Sequence, residues 1–369
     1  MKAQTYCFTV IIFFIATGCT EKYQLPKMEQ QSTIVITGLV TNEPGPYYVT
    51  VKKYISDIST GQTIENEIND ARITIIDSDG NVDELRSFHS VPIDSVLIDS
   101  GVVWETNEQY YIYEYFFDIP DGNGDYVRFG IEKDRYDNYK IRNDIRKGAY
   151  FTTSTKGIQG RTYTLNVEYD GNKYTASDYM CYGTVIDSIS IEPIGIYIYD
   201  KPDDTDGFLV PCLYFAEPQD EINFYMFKES NISNFYNPVT GAFDYCLEPA
   251  KDMSLINWGG EDWLFSVVSD RFLPPYVRKY KMSDGDHARK WFQGTDIGFK
   301  DRWDNGGAVD MYCITEPVYR YYSAMSQQFY QDGGAFSPSP ASPPSNFCGG
   351  AQGCFSAASV SQYVLKLWE

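Results

Sequence analysis

Residues 34–51 read IVITGLVTNEPGPYYVTV, and this stretch carries the strongest fold signal in the chain. Two runs rich in β-branched and aromatic residues, 34–40 and 47–54, flank a turn-forming Asn-Glu-Pro-Gly-Pro segment at 42–46. β-Branched and aromatic side chains suit the pleated surface of a strand, whereas Pro and Gly favour tight turns. The stretch therefore predicts two antiparallel strands joined by a turn.

Similar strand signals follow at short intervals, at 71–76, 82–88, 163–168 and 173–177. Asp-Gly pairs at 79–80 and 170–171 separate them in two places, which is typical of hairpins. Several short strands divided by turns predict a mainly β fold that begins with an antiparallel sandwich of immunoglobulin or transthyretin type. We place this N-terminal sandwich at residues 33–182 and treat the Tyr-rich residues 90–150 as an insertion.

The second half, residues 183–369, is predicted to form a second β-rich domain with one or a few helices. Its clearest strand signals lie at 208–215, 222–228 and 355–368. The segment 316–331 is the most convincing helix, because its apolar residues recur at helical spacing. Thr315 is suited to cap this helix, and Pro317 suits its first turn.

Residues 1–18 have the pattern of a bacterial lipoprotein signal peptide. Lys2 supplies a positive charge, residues 8–15 (FTVIIFFI) form an apolar run too short to span a bilayer, and small residues precede Cys19. This order predicts cleavage before Cys19 and lipidation of that cysteine, which anchors the chain. The alternative is an ordinary secreted protein cleaved nearby. The polar residues 19–32 are interpreted as a tether to the folded body.

Composition excludes several function classes. The 369 residues include 30 basic and 51 acidic side chains, for a net charge of −21, and loss of Lys2 with the signal peptide leaves −22. Such acidity argues against nucleic-acid binding, which needs a basic surface. The 43% hydrophobic content argues against disorder. With two histidines and no recognisable catalytic motif, the chain is not expected to be an enzyme.

Six cysteines remain after Cys7 is removed and Cys19 is lipidated: Cys181, Cys212, Cys246, Cys313, Cys348 and Cys354. An even number in an exported protein suggests three disulfides. We favour a pair between Cys348 and Cys354, because the Gly-rich segment between them is able to close a small loop. The other four are candidates without an assigned connectivity. Free buried thiols are the alternative, and a zinc site is not indicated because no CxxC occurs.

One acidic segment resembles a calcium-binding loop. Asp121, Asn123, Asp125 and Glu132 stand at positions 1, 3, 5 and 12 of an EF-hand-like pattern. Tyr126 occupies the position where that loop needs Gly, and no flanking helices are evident. A solvated turn between two strands is the alternative. No other cofactor is expected.

Four tryptophans are candidates for a ligand or partner surface: Trp258, Trp263, Trp291 and Trp303. They occur among Gly and charged residues, and exposed aromatics anchor interfaces and stack on sugars. The alternative is that they are ordinary sheet and core residues.

Five phrases follow one another along most of the chain: IVITGLVTNEPGPYYVTV at 34–51, ARITIIDSDGN at 71–81, GRTYTLNVEYDGNKYTA at 160–176, VIDSISI at 185–191 and SNFCGGAQGCFSAASV at 345–360. In this order they resemble a family of Bacteroidota lipoproteins named only as a domain of unknown function and commonly encoded beside TonB-dependent (SusC-like) receptors. Cys348 and Cys354 depart from the family pattern, which has apolar or aromatic residues there. The family has no assigned catalytic residues to transfer.

The resemblance and the signal peptide together imply a non-enzymatic lipoprotein of the outer membrane, facing the extracellular side. It is expected to act as an accessory to a TonB-dependent β-barrel transporter and to capture a small-molecule, glycan or peptide ligand. A structural or assembly subunit of a larger outer-membrane machine is the first alternative. A glycan-degrading hydrolase is the second.

Overall fold

The structure is a computed structural model. It describes residues 31–57, 62–103, 108–120, 124, 126–133, 139–140, 148–194, 208–218, 222–237, 242–247, 266–273, 275–281, 306–330 and 343–366. The strands within these residues are β1 (Gln31–Thr41), β2 (Tyr48–Asp57), β3 (Gln62–Glu67), β4 (Arg72–Asp77), β5 (Val82–Glu84), β6 (Arg86–Ser87), β7 (Asp94–Val103), β8 (Glu108–Pro120), β9 (Tyr126–Lys133), β10 (Tyr139–Lys140), β11 (Ala149–Phe151), β12 (Thr162–Tyr169), β13 (Asn172–Tyr179), β14 (Ile186–Ile194), β15 (Phe208–Ala216), β16 (Phe224–Asn237), β17 (Ala242–Leu247), β18 (Ser266–Ser269), β19 (Tyr276–Lys281), β20 (Gly306–Ile314) and β21 (Gln352–Lys366). The helical elements described are α1 (Glu316–Tyr330) and the 3₁₀ turns Phe88–Ser90 and Asp270–Phe272.

The described strands form four sheets, of which the largest holds ten strands. Its main path runs β17-β16-β20-β21-β1-β2-β11-β6, with β18 beside β16 and β3 beside β2. β1 and β2 are the antiparallel pair predicted from residues 34–51, with Gly38 opposite Val49. The predicted turn at 42–46 joins them, so this prediction is confirmed.

The first and last strands of the described chain lie side by side, a pairing that the sequence did not indicate. β21 runs parallel to β1, with Val35 opposite Gln352 and Thr41 opposite Ala358. Its later part pairs antiparallel with β20. Parallel neighbours need a crossover connection, and here most of the chain forms it. One continuous sheet therefore crosses the division expected at residue 182.

Two smaller sheets cover one face of the large sheet. The sheet β13-β12-β4-β5 packs over β1, β2 and the start of β21, where Ile36, Leu165 and Phe355 share a core. The sheet β14-β15-β19 packs over β16 and β20, where Phe215 meets Phe227. The predicted mainly β, sandwich-type fold is confirmed by this arrangement.

The opposite face of the large sheet is covered by α1 in one place and by β8 in another. Val318 of α1 packs with Cys354 of β21, and Phe117 of β8 packs with Phe88 and Phe151. Side chains alternate between the faces of a strand, so β21 and β11 supply residues to the cores on both sides. This double use buries residues 353–359 of β21 on both faces of the sheet.

The helix predicted at 316–331 is confirmed as α1. Its first backbone bond joins the Tyr319 N–H to the Thr315 carbonyl at 2.9 Å. The prediction of a single strand at 82–88 is wrong, because this segment is divided among β5, β6 and a 3₁₀ turn. Only β5 returns along β4, whereas β6 joins β11 in the large sheet. Leu85 marks the change of sheet, and its N–H bonds to the Ile73 carbonyl at 2.9 Å.

The place of β21 in the N-terminal core yields a stability prediction. We expect Phe355→Ala to lower the free energy of unfolding by about 3–5 kcal/mol, because the ring is fully buried between two sheets. The measurement is urea unfolding followed by fluorescence. Tyr126→Ala, at a ring that is 69% exposed, is the matched control and is expected to cost about 0.5 kcal/mol or less. Equal effects of the two substitutions would contradict the packing described.

Candidate functional site: a cleft at one end of the sandwich

A surface cleft of about 380 Å³ lies at the end of the sandwich where β1 finishes. The loop 152–161 borders it and passes so close to β1 that a Cβ atom on Gly157 would collide with the Thr41 carbonyl. β1 is an eleven-residue strand that begins at Gln31, and Gln31 lies about 35 Å from Thr41 at the usual rise of a strand. The cleft and the start of the described chain therefore occupy opposite ends of the sandwich.

The cleft combines an apolar wall with a polar rim. Ile75 is buried at its base, whereas Val82 and Ile158 are 60% and 41% exposed. The polar lining residues are Asp77, Asn81, Asp83, Ser154, Thr155, Lys156 and Arg161. The volume falls within the range of small-molecule sites, which are also mostly apolar with a few placed polar groups.

Asp83 holds the loop that forms one wall of the cleft. Its Oδ2 accepts the backbone N–H groups of Thr153, Ser154 and Thr155 at 2.8–2.9 Å. The hydroxyls of Thr153 and Thr155 also donate to this carboxylate, each at 2.7 Å. Burial by itself raises the pKa of Asp83, but these hydrogen bonds outweigh it, and the pKa lies below its usual value. The ionised carboxylate is therefore the form that stabilises the loop.

A second carboxylate network holds the facing wall. Asp77 accepts the backbone N–H groups of Asp79 and Asn81 at 3.0 and 2.9 Å and the Asn81 amide at 2.8 Å. The Arg161 guanidinium donates to Asp77 and also pairs with Asp79. Burial raises the pKa of Asp77, and the bonds from Asn81 and Arg161 lower it more, so the net shift is downward.

Two buried tyrosines fix the middle of the loop. The Tyr163 hydroxyl donates to the Lys156 carbonyl at 2.8 Å and accepts the Ile158 N–H at 2.7 Å. The Tyr47 hydroxyl accepts the Gly157 N–H at 2.9 Å. Burial raises the pKa of Tyr47 to about 12, so its hydroxyl remains protonated at neutral pH. The loop is therefore ordered by side chains rather than by pairing with a strand.

The side chains of the loop alternate between inside and outside. Ser154, Lys156 and Ile158 are exposed, whereas Thr155 and Gly157 between them are partly buried. Alternation of this kind is typical of an extended segment. The loop thus presents a hydroxyl, an ammonium group and an apolar side chain in a fixed row along the cleft.

A buried carboxyl group connects β13, α1 and β21 on another part of the molecule. Asp178 accepts the Thr315 hydroxyl at 2.5 Å and the Ala357 N–H at 2.7 Å. Burial raises the pKa of Asp178 to about 6, although these hydrogen bonds act in the opposite direction. Asp178 therefore titrates near neutrality while joining three elements.

Another buried acid, Glu217, lies at the corner between β15 and β16. Its Oε1 accepts the Asn223 amide at 3.1 Å and the Tyr225 hydroxyl at 3.0 Å. Burial is the largest cause that raises the pKa of Glu217, and the nearby Asp270 adds to it. Neither Glu217 nor Asp178 lines the cleft, and both connect elements of the fold.

Most of the predicted site residues lie outside the described part of the chain: Cys19, Asp121, Asn123, Asp125, Trp258, Trp263, Trp291 and Trp303. Glu132 lies in β9 opposite Lys140. Among the residues described, no group of three or more His, Cys, Asp or Glu is placed to hold a metal ion. The calcium loop and the tryptophan surface stay predictions.

The predicted disulfide between Cys348 and Cys354 is not formed in the structure. Cys348 is exposed where its backbone bridges to Thr175, whereas Cys354 is buried in β21 with its Sγ 3.8 Å from the Phe355 carbonyl. Burial raises the pKa of the Cys354 thiol, so it packs as a small hydrophobe.

The remaining cysteines are separated among elements. Cys181 follows β13 and is partly buried, and Cys212 and Cys313 are buried in β15 and β20. Cys246 lies in β17 opposite Ser233. No disulfide joins Cys181, Cys212 and Cys313 to one another in the structure, so the pairs expected among these three are not formed. A bond that involves Cys246 stays a prediction.

Sequence reasoning did not identify the cleft residues. The Asp-Ser-Asp-Gly-Asn segment at 77–81 was recognised only as a turn, and the run TTSTKG at 152–157 was not singled out. The one usable signal is chemical, since Ser and Thr side chains outside regular strands often form hydrogen bonds that hold a turn or loop. That acceptor is Asp83, about 70 residues away in sequence, and nothing local points to it.

The fold and the cleft define a class: a mainly β protein in which smaller sheets cover a mixed central sheet and a preformed cleft lies at one end. The chain belongs to the family described as a domain of unknown function (DUF4249), whose model matches residues 20–363. No curated protein matches the chain. Within the described residues, no helix is both long enough and apolar enough to cross a membrane.

The Asp83 network yields a second stability prediction. We expect Asp83→Asn to lower the free energy of unfolding by about 3 kcal/mol at pH 7, because an amide offers one acceptor where several N–H and O–H groups converge. The difference from the natural protein should shrink as the pH falls from about 4 toward the lowered pKa of Asp83, where the carboxylate itself takes up a proton.

Urea unfolding at several pH values measures this difference. Glu84→Gln on the same strand is the matched control, because Glu84 is exposed and pairs only with exposed Arg72 among the described contacts. It is expected to change the stability by about 0.5 kcal/mol or less. An Asp83→Asn effect as small as that of the control would show that the carboxylate does not hold the loop.

Asp178 yields a stability prediction whose pH dependence is opposite to that of Asp83. Its pKa rises from about 4 in the unfolded chain to about 6 in the fold, so the folded state holds the proton more tightly. Stability from this group is complete below about pH 4 and is lost as the pH rises through 6. Between pH 4 and 7 the natural protein should therefore lose about 2.5 kcal/mol of stability relative to Asp178→Asn, which has no carboxyl group to titrate at this position.

The same unfolding series measures this change. Asp187→Asn, at an exposed residue, is the control and should change the stability by about 0.5 kcal/mol or less. A stability difference between the natural protein and Asp178→Asn that does not change with pH would contradict the raised pKa of Asp178.

Proposed function

We propose that this protein is a non-enzymatic lipoprotein of the bacterial outer membrane that captures a ligand for a TonB-dependent β-barrel transporter. The single observation that carries the proposal is the position of the cleft at the end of the sandwich opposite Gln31. Eleven residues lie between Cys19 and Gln31, which gives a reach of about 40 Å when the segment is fully extended. A body held by this tether would have its cleft directed away from the lipid surface.

Rigidity of the cleft also supports binding. Its walls are fixed by Asp83 and by the pair of Asp77 and Arg161. Preformed sites bind without the cost of ordering loops. The two described acids with a raised pKa, Asp178 and Glu217, lie away from the cleft and connect elements of the fold, whereas the cleft acids Asp77 and Asp83 have a lowered pKa. A hydrolase needs an acid that carries a proton in its site, so this placement favours a binding protein. The family membership fits the same proposal, because the resemblance is to lipoproteins encoded beside TonB-dependent receptors.

Affinity purification from detergent-solubilised membranes tests the partnership. The full-length protein should co-isolate a large β-barrel, because a capture protein must hand its ligand to the transporter. Cys19→Ser is the control for anchoring and should release the protein from the membrane fraction. Recovery of the natural protein without any barrel would overturn the proposal.

Uptake measurements then separate capture from assembly. Ile158→Asp places a charge on the apolar wall and should reduce uptake while barrel abundance stays unchanged. Ile64→Asp is the matched control, because Ile64 is similarly exposed on β3, away from the cleft. A fall in barrel abundance when the gene is deleted would instead support the assembly role.

A further inference from the structure

We propose that the cleft binds an apolar carboxylate, that is, an organic acid or a peptide C-terminus with an aliphatic or aromatic body. This inference rests on the cleft being the capture site of the proposed function. The apolar body would lie against Ile75, Val82 and Ile158, and the carboxylate would pair with Lys156.

The wall of the cleft exposes apolar side chains to solvent. Val82 and Ile158 are large apolar side chains that are 60% and 41% exposed, and both line the same cleft. Covering them removes apolar surface from water, which favours binding.

Three of the charged side chains that line the cleft already have hydrogen-bond or ion-pair partners within the protein. Asp77 and Asp83 each accept several hydrogen bonds, and Arg161 pairs with Asp77 and Asp79. Lys156 is exposed, and no described carboxylate pairs with it. Of the two basic side chains that line the cleft, Lys156 is therefore the one whose ammonium group is available to bind an anion. The exposed Ser154 nearby offers a hydroxyl.

The acidic body does not oppose this pairing strongly. The net charge of −21 is spread over the whole chain, and at physiological ionic strength charges beyond about 8 Å are largely screened. Inside that distance, the hydrogen bonds and the Arg161 pair offset the nearest carboxylates. The ammonium group of Lys156 therefore favours a negatively charged ligand. An apolar amine is expected to bind more weakly than the acid.

Titration of the full-length protein in detergent with three matched probes tests this inference. N-acetyl-leucine carries the carboxylate, its amide is neutral, and leucinamide is cationic. Methyl NMR signals of Val82 and Ile158 should shift with the acid at a Kd on the order of 1 mM, whereas the Ile64 signal should not. The amide should bind about fivefold more weakly, and leucinamide more weakly still.

Variants assign the two halves of the ligand. Lys156→Gln should remove the preference for the acid over the amide, and Ile158→Ser should weaken both probes by about tenfold. Lys173→Gln, at an exposed lysine of β13 at the other end of the sandwich, is the control and should change nothing. An acetylated peptide ending in leucine, compared with its amide, distinguishes a peptide C-terminus from a free organic acid as the source.

Equal binding of acid and amide, stronger binding of leucinamide, or shifts at Ile64 alone would overturn the inference. These outcomes are independent of the barrel. A barrel partner without acid binding would remove this inference alone, and acid binding without a barrel partner would remove the transport proposal alone.

Discussion

The parallel pairing of β1 with β21 is the constraint on which the rest of the structure depends. It places the last described strand in the middle of the sheet that the first one begins, so the core of the N-terminal half is completed by residues of β21. Gly353 permits this closeness, because it has a φ of +106° and a Cβ atom there would collide with the Ile36 carbonyl. Asn346 adds to it by bonding to both backbone groups of Phe355, at 2.7 and 3.0 Å.

The same constraint explains why the cleft lies where it does. β1 stops pairing with β21 at Thr41, and the Asn42 side chain then takes over by accepting the Val360 N–H at 2.6 Å. The chain must turn there, and the end of the sandwich stays uncovered by further strands of this sheet. Loop 152–161 fills part of that end and leaves the cleft beside it. A break in pairing, rather than a special motif, thus creates the candidate site.

The sequence correctly predicts the elements that depend on residues close together in the chain. The hairpin at 34–51, the hairpin around Asp170 and the helix after Thr315 depend on turn residues and on periodicity, and all three are present. Partners distant in sequence left no such trace. The pairing of β1 with β21 joins residues more than 300 positions apart, and the bonds between Asp83 and the loop at 153–155 span about 70. Long-range pairing is set by packing of whole surfaces, which a single sequence does not display.

The buried carboxyl groups show how an acidic chain uses its charge. Asp83 and Asp178 are each 5% exposed to solvent, yet their pKa values move in opposite directions. Two causes act together: Asp178 lies deeper among protein atoms, so burial penalises its charged form more, and fewer hydrogen bonds reach it than the five that converge on Asp83. With enough N–H and O–H groups, ionisation remains favourable despite burial; with fewer, burial prevails. The negative charge of Asp83 is thus already stabilised by hydrogen bonds from its loop. The ammonium group of Lys156 on the same loop is therefore able to pair with a ligand.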